Sequence, residues 1–398
     1  MSANDTIATE QRYILQVYPR PAFVLERGEG CYVFDTEGQR YLDCVAGIAV
    51  NALGYNDPDI SKVIAEQATK LMHVSNLYHT QPAGELAKQL VEHSFADRVF
   101  YTNSGTEAIE GAIKFSRKYA YEHERKDKTH IVAFSGSFHG RTMGAVAVTH
   151  REKYRAPFAP VMPDVRFAPF NDLAAAQEAI TDDVCAIIVE PVQGEGGLSV
   201  ADPAFLKGLR ERCDDVGALL ILDEIQCGLG RTGALWAHEW YQIAPDIMTV
   251  AKPLGGGLPI GAILMTQAVA DTIHPGDHGT TFGGGPLVTA AAQVVFEKIA
   301  NPTFLEHVRN VSDYLGEALH DFANERPEIL GLRGKGLMRG LQIDGPAGAV
   351  RIAAHDVGLL VATAGDDIVR LVPPLIFEQH HVDETIDKLG QTFDNIKH

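Results

Sequence analysis

An α/β fold with a mostly parallel central sheet covered by helices, joined to a smaller α+β domain, is what the sequence predicts, on three observations. Short runs rich in Val and Ile ("THIVAF", "VCAIIVE", "GALLILDE", "DIMTVAK") recur through the middle of the chain. From about residue 56 onward, stretches with helical spacing such as "ISKVIAEQATKLM" and "GELAKQLVEHS" alternate with apolar runs. Strands buried on both faces read as continuous apolar runs, and helices between them supply the crossovers of a parallel sheet. Third, separate runs end in chemistry: Glu190 closes one, Asp223 and Glu224 another, and Lys252 a third. Open α/β sheets bind ligands outside the carboxyl ends of their strands. Carboxylates and a lysine arriving there from different strands read as an assembled site, although Glu190 could instead cap a following helix.

Taken in order, "GCYVFDTEGQRYLDC" is two alternating stretches around "TEGQ" and predicts a β-hairpin. "RVFYT" reads as a strand running into the helical pattern of "NSGTEAIEGAIKF". Beyond the helical stretch around residues 290–320, which holds the domain boundary, "GLMRGLQI", "GLLVATA" and "IVRLVPPLIF" predict strands of a smaller unit. His380 and His381 are adjacent, cannot face one site together, and are expected on the surface. No internal repeat or low-complexity segment interrupts the chain.

Bulk properties narrow the function. A chain of 398 residues can bury a large core. Its formal charge of −18 argues against a nucleic-acid partner, which needs clustered Lys and Arg. The densest basic stretch, "KFSRKYAYEHERKDK", is interleaved with acids and reads as a solvated helix and loop. The five cysteines form no CxxC pair and leave an odd count, which predicts a reducing compartment. No basic segment followed by an apolar one opens the sequence, and no apolar run reaches spanning length, so a cytoplasmic location is expected. Scattered histidines without HExxH or a Cys/His quartet predict no metal site.

Phosphate handling is the first chemical signal. Ser104, Gly105 and Thr106 stand just before a helix, where free N–H groups and the positive dipole end attract an anion. Thr106 followed by Glu107 is equally a capping pattern. "HGTTFGGGPL" offers more hydroxyls and glycines, whereas "GKGLMRG" misses the dinucleotide spacing and no GxxxxGK[ST] loop exists. Lys252 ends an apolar run and is followed at once by Pro253 and three glycines, a sharp turn after a cation. Lysine, carboxylate and anion cradle have one economical explanation. Pyridoxal phosphate needs a lysine for a Schiff base, an acid beside its ring nitrogen and donors for its phosphate.

"NSGTEA", "SFHGRT", "EPVQGEGG", "LDEIQCGLGRTG", "AKPLGGGLPIGA" and "HGTTFGGGPL", in this order, resemble the class III aminotransferases of pyridoxal-phosphate fold type I over nearly the whole chain. The resemblance implies a large cofactor-binding domain at 56–300 and a small domain built from residues 1–55 and 301–398. It implies that Lys252 forms the Schiff base and shuttles the proton, while Asp223 pairs with the pyridinium nitrogen. Gln226 would hold the phenolic oxygen, Phe138 and Ile225 the two ring faces, and Ser104, Gly105 and Thr106 the phosphate. Thr281 would reach that phosphate from a neighbouring subunit, making a homodimer with active sites at the interface.

For the substrate, the resemblance implies that Arg141 grips the donor α-carboxylate. Glu195 and Arg370 would form a switch pair in which Arg370 is masked for the ω-amine and freed for glutamate or 2-oxoglutarate. Thr280 is an expected substrate contact and Tyr18 an expected neighbour. "VAGIAVNALGY" looks most like the acetylornithine branch of the family, with Gly47 near a tyrosine position of the ornithine branch; Gly285 departs from a more usual asparagine. The implied reaction transfers the 5-amino group of N²-acetyl-L-ornithine to 2-oxoglutarate, as in arginine biosynthesis. Alternatives are ornithine, succinylornithine, succinyl-diaminopimelate or 4-aminobutyrate as donor, a glutamate-1-semialdehyde aminomutase, or a non-catalytic protein of the same fold.

Overall fold

The central sheet of the computed structural model, which describes residues 2–396, has seven strands. Their order is Arg98–Thr102, Gly261–Met265, Ile247–Val250, Leu219–Asp223, Val184–Val189, His130–Phe134 and Val165–Ala168. Six run in the same direction, and Gly261–Met265 alone is reversed, antiparallel to both its neighbours. Val184–Val189, Leu219–Asp223 and Ile247–Val250 are buried at every residue, which is why they read as unbroken apolar runs. Alternate residues serve opposite faces. Ile131 and Ala133 pack with helix Gly105–Glu122, while Val132 and Phe134 pack with helix Pro203–Val216.

Residues from the two ends of the chain meet in one sheet. The hairpin Tyr32–Asp35 and Arg40–Asp43 pairs antiparallel, and Arg40–Asp43 then pairs in parallel with Leu359–Leu360. A third sheet joins Ile329–Lys335, Met338–Ile343, Ile368–Leu371 and Ala362–Thr363. The helical stretch around 290–320 is two helices, Pro286–Ile299 and Pro302–Asn324. Pro302 cannot supply an N–H to continue the first helix, and Asn301 Oδ1 caps the second by accepting from Thr303 N at 2.9 Å.

One surface expectation is corrected here. His381 is only 7% exposed, on helix Gln379–Ile396, with its ring stacked at 5.0 Å on Phe377 and Nδ1 accepting from Glu378 N. Successive helix positions differ by about 100°, so His380 faces water while its neighbour faces the core. Burial pushes the His381 imidazole down to about 4, so it packs as a neutral ring.

Candidate active site

Three parallel strands deliver their last residues to one cavity of about 480 Å³, lined by Glu190, Asp223 and Lys252 among others. Leu219–Asp223 ends on the acid itself, and Ile247–Val250 is followed by Ala251 and Lys252. The sequence expectation for a residue before proline is extended backbone. Lys252 departs from it with φ 37°, opening a 3₁₀ turn through Gly255, and Gly257 completes the reversal with φ 107°. A left-handed, pre-proline lysine costs about 1–3 kcal/mol, which the surrounding fold must supply. Desolvation lowers the Lys252 pKa, with Glu195 and Asp223 opposing and Arg370 adding to the fall. A larger neutral fraction makes the amine a better nucleophile.

Asp223 is fixed from two sides. Its Oδ2 lies 2.7 Å from His139 Nδ1, and Oδ1 accepts from Ile225 N at 3.0 Å. His139 is buried, and its Nε2 meets no partner among the described residues. Glu190 does not cap a helix, because the next one begins only at Pro203. Instead Oε1 accepts from Phe138 N at 3.0 Å and Oε2 from Gly194 N at 2.9 Å, tying two cavity loops together. Burial first, and Asp223 nearby, push the Glu190 carboxyl up to about 7 against the pull of His139 and the two amides.

At the far end the helix Gly105–Glu122 starts in the cavity wall. Ser104 Oγ accepts from Glu107 N at 3.4 Å, so this serine caps, while the first-turn N–H groups lack intrahelical acceptors. Thr106 Oγ1 pairs with Thr142 Oγ1 at 2.9 Å and accepts from Arg141 N at 3.3 Å. Phe138, Ile225 and Gln226 also line the space. Amine, carboxylate and helix N-terminus thus converge on one volume, which is the donor set that pyridoxal phosphate requires.

Two arginines flank this set in different states. The Arg141 guanidinium lies 3.6 Å from the centroid of the Tyr154 ring and makes no ion pair among the described residues. Arg370 is 2% exposed, and its Nη1 donates to Glu195 Oε1 at 2.5 Å, Gly194 O at 2.9 Å and Gln226 Oε1 at 3.2 Å. Thr280 sits beside the cavity, its Oγ1 accepting from Asn103 Nδ2 at 3.2 Å. Within the single chain Thr281 is exposed, and Tyr18, 70% exposed on the N-terminal segment, does not line the cavity. Gly47, with φ 64°, lies outside the lining, which Val50 supplies from that segment. Gly285 has an ordinary φ of −59° and forms the N-cap of Pro286–Ile299 without a side-chain bond, so the backbone there does not demand glycine.

His139 and Tyr154 escaped the sequence reading. Only the fold shows that the His139 imidazole meets a carboxylate distant in sequence. Tyr154 carries no motif at all.

Residues 15–393 match the family model of the class III aminotransferases. The chain is 50% identical over 394 residues to the mitochondrial acetylornithine aminotransferase of Alnus glutinosa, covering 98% of this chain and 87% of that protein. Among solved structures, the N-acetylornithine aminotransferase of Stenotrophomonas maltophilia is 40% identical with a TM-score of 0.85, covering 98% of this chain and 99% of the other. The ornithine aminotransferase of Toxoplasma gondii superposes with a TM-score of 0.95 at 29% identity, covering 100% and 96%.

Proposed function

Because the chain belongs to the class III aminotransferases, a pyridoxal-phosphate-dependent family, we propose that it moves the 5-amino group of N²-acetyl-L-ornithine to 2-oxoglutarate. The observation that carries this reading is the pair of arginines in opposite states. Arg141 offers an uncommitted guanidinium at the cavity, and Arg370 is covered by Glu195. An ω-amino donor needs one carboxylate anchor far from the amine, and the keto acid needs a second anchor nearer to it. Glu195 supplies the exchange: it neutralises Arg370 for the first substrate and releases it to the second. Arginine suits both tasks because its planar fork binds a carboxylate through two parallel bonds. The substrate named for the Alnus glutinosa and Stenotrophomonas maltophilia relatives supports the donor assignment.

Ser104, Gly105 and Thr106 would hold the cofactor phosphate, Phe138 and Ile225 would cover its ring, Gln226 would meet its phenolic oxygen, and Asp223 its ring nitrogen. When bound, the cofactor supplies an electron sink for the carbon that loses a proton. Lys252 Nζ would take that proton from C5 of the donor, and burial, by lowering its basicity, raises the fraction of neutral amine able to do so. Asp223, held by His139 and the Ile225 amide, would face that ring nitrogen and favour its protonated form. The active unit is a homodimer in which Thr281 of one subunit completes the phosphate site of the other. Cytoplasmic placement accords with the absence, among the described residues, of any helix long and apolar enough to cross a membrane.

The test is a half-reaction on the cofactor-loaded protein without keto acid, followed by loss of the yellow absorbance. Acetylornithine should bleach the band quickly and ornithine slowly. Equal or faster bleaching by ornithine would move the donor assignment to the free amino acid, and an unresponsive band would remove the aminotransferase reading altogether.

A further inference from the structure

Away from the active site, the turn of "GKGLMRG" closes over a second cavity of about 380 Å³. Its walls come from helix Pro302–Asn324, the turn at residues 334–336, and Thr232 and Trp240 of the segment that follows Asp223. We propose that this cavity binds a small polyvalent oxyanion, a compact solute carrying phosphate or several carboxylate groups.

Three cations line it: Arg309, Lys335 and Arg339. Among the described residues none has a carboxylate within ion-pair reach, in a chain whose formal charge is −18. Asp313 is the one acid in the lining among the described residues, and it acts on Lys335 and Arg339 electrostatically without coming within ion-pair distance. Arg309 Nη1 donates to Gly233 O at 2.9 Å, and Lys335 Nζ rests 4.1 Å from the centroid of the Trp240 ring. Arg339 makes only long bonds, to Gly334 O at 3.4 Å and Ser312 O at 3.3 Å, and its buried Nε has no partner. A fourth guanidinium lies under the same turn, where Arg231 Nη1 donates to Leu337 O at 3.0 Å. Burial lowers Arg231 to about 9, which still leaves it charged at pH 7. Cations confined in a partly desolvated pocket repel one another, and an anion with several oxygens relieves that repulsion by bridging them. A bridge here would join the C-terminal sheet to the loop carrying Gly233 and Trp240, so occupancy should stiffen the junction behind Arg370 without entering the catalytic cavity.

The test uses cofactor-loaded enzyme, so that the helix cradle at Ser104–Thr106 is already filled. Pyrophosphate is titrated calorimetrically at constant ionic strength into the wild-type protein and into Lys335→Gln, Arg309→Gln and Lys335→Arg. Saturable binding that weakens about tenfold or more in each glutamine variant, the scale of one lost charge-assisted bond, and survives in Lys335→Arg is the expected result. A thermal midpoint raised by pyrophosphate in the wild type but not in the glutamine variants should accompany it. Unchanged affinity in both glutamine variants, or no saturable binding to the wild type, would overturn the proposal. Either glutamine variant suffices if the other fails to fold.

Discussion

At the scale of single residues, the site depends on groups whose charge the protein has to control. Lys252 is the least replaceable, because among the described residues no other primary amine lines the cavity. Lys252→Ala should lower kcat by about a thousandfold or more while the protein keeps its fold, and a variant with full transaminase activity would refute the mechanism. His139 acts through Asp223 as a positioning residue. His139→Ala frees the carboxylate to rotate and should cut kcat about tenfold to a hundredfold, the scale of a lost orienting partner. His139→Asn, which can still donate, should recover part of it. The pH at which the cofactor's visible band titrates should move in the alanine variant, a readout that mere loosening of the fold would not shift.

Glu190 makes a prediction of opposite sign to that of an ion-paired acid. Its folded pKa is raised from 4.5 to about 7, so the folded state holds the proton more tightly than the unfolded chain. That contribution to stability is fully present below about pH 4.5 and is lost as pH rises through about 7. Urea midpoints of the cofactor-free protein should therefore include a Glu190 contribution that falls between pH 5 and 8, worth roughly 1–3 kcal/mol. Comparison with Glu190→Gln isolates it: the amide mimics the protonated carboxyl, so the two proteins should be most alike near pH 5 and diverge toward pH 8 as the wild type alone loses stability. A constant difference across that range would mean that Glu190 ionises normally.

Among the elements, strands whose two faces are both buried were legible, because continuous Val and Ile runs have no other use in a chain of this composition. Gly261–Met265 is not legible as a strand in the sequence, although it is buried at every residue. It follows the glycines of the Lys252 turn so closely that no loop signal separates it, and its antiparallel course has no local signature. Val165–Ala168 at the sheet edge, only partly buried, was illegible for the converse reason. The motif residues 104–106, 223–226 and 252 were legible because each motif sits in one continuous stretch. The contact between His139 and Asp223 joins the loop after His130–Phe134 to the end of Leu219–Asp223, across the intervening strand Val184–Val189, which no local pattern reveals. The overlooked strand is mechanically important. A Cβ on Gly261 would lie 2.7 Å from Ser104 O and 2.6 Å from Thr102 Oγ1, at the base of the turn that opens the helix Gly105–Glu122. Gly261→Ala should lose about 1–3 kcal/mol through overpacking and should weaken pyridoxal-phosphate binding by displacing residues 104–106. Gly331→Ala, where a Cβ meets nothing within 4 Å, is the control and should match the wild type in both thermal midpoint and cofactor affinity.

For the whole molecule, the single chain leaves large apolar side chains uncovered. Leu77 is 78% exposed and Phe282 64% exposed, in segments linked by Asn76, whose Nδ2 donates to Thr280 O and Gly283 O. Uncovered apolar surface of this kind marks an interface. A twofold dimer would place each subunit's 280–283 segment against its partner, with Thr281 directed at the partner's cofactor phosphate. Complementation tests this assignment where activity of one variant cannot. Thr281→Asp would repel the phosphate, and Lys252→Ala removes the nucleophile, so each homodimer should be nearly inactive. In a mixed dimer one site carries both defects and the other carries neither. Random reassortment makes half the dimers mixed, so the mixture should regain about a quarter of wild-type activity per chain. If Thr281 served its own subunit, both sites of the mixed dimer would carry one defect each and the mixture would stay as inactive as its parents. The outcome therefore separates an active site shared across two chains from one complete in each.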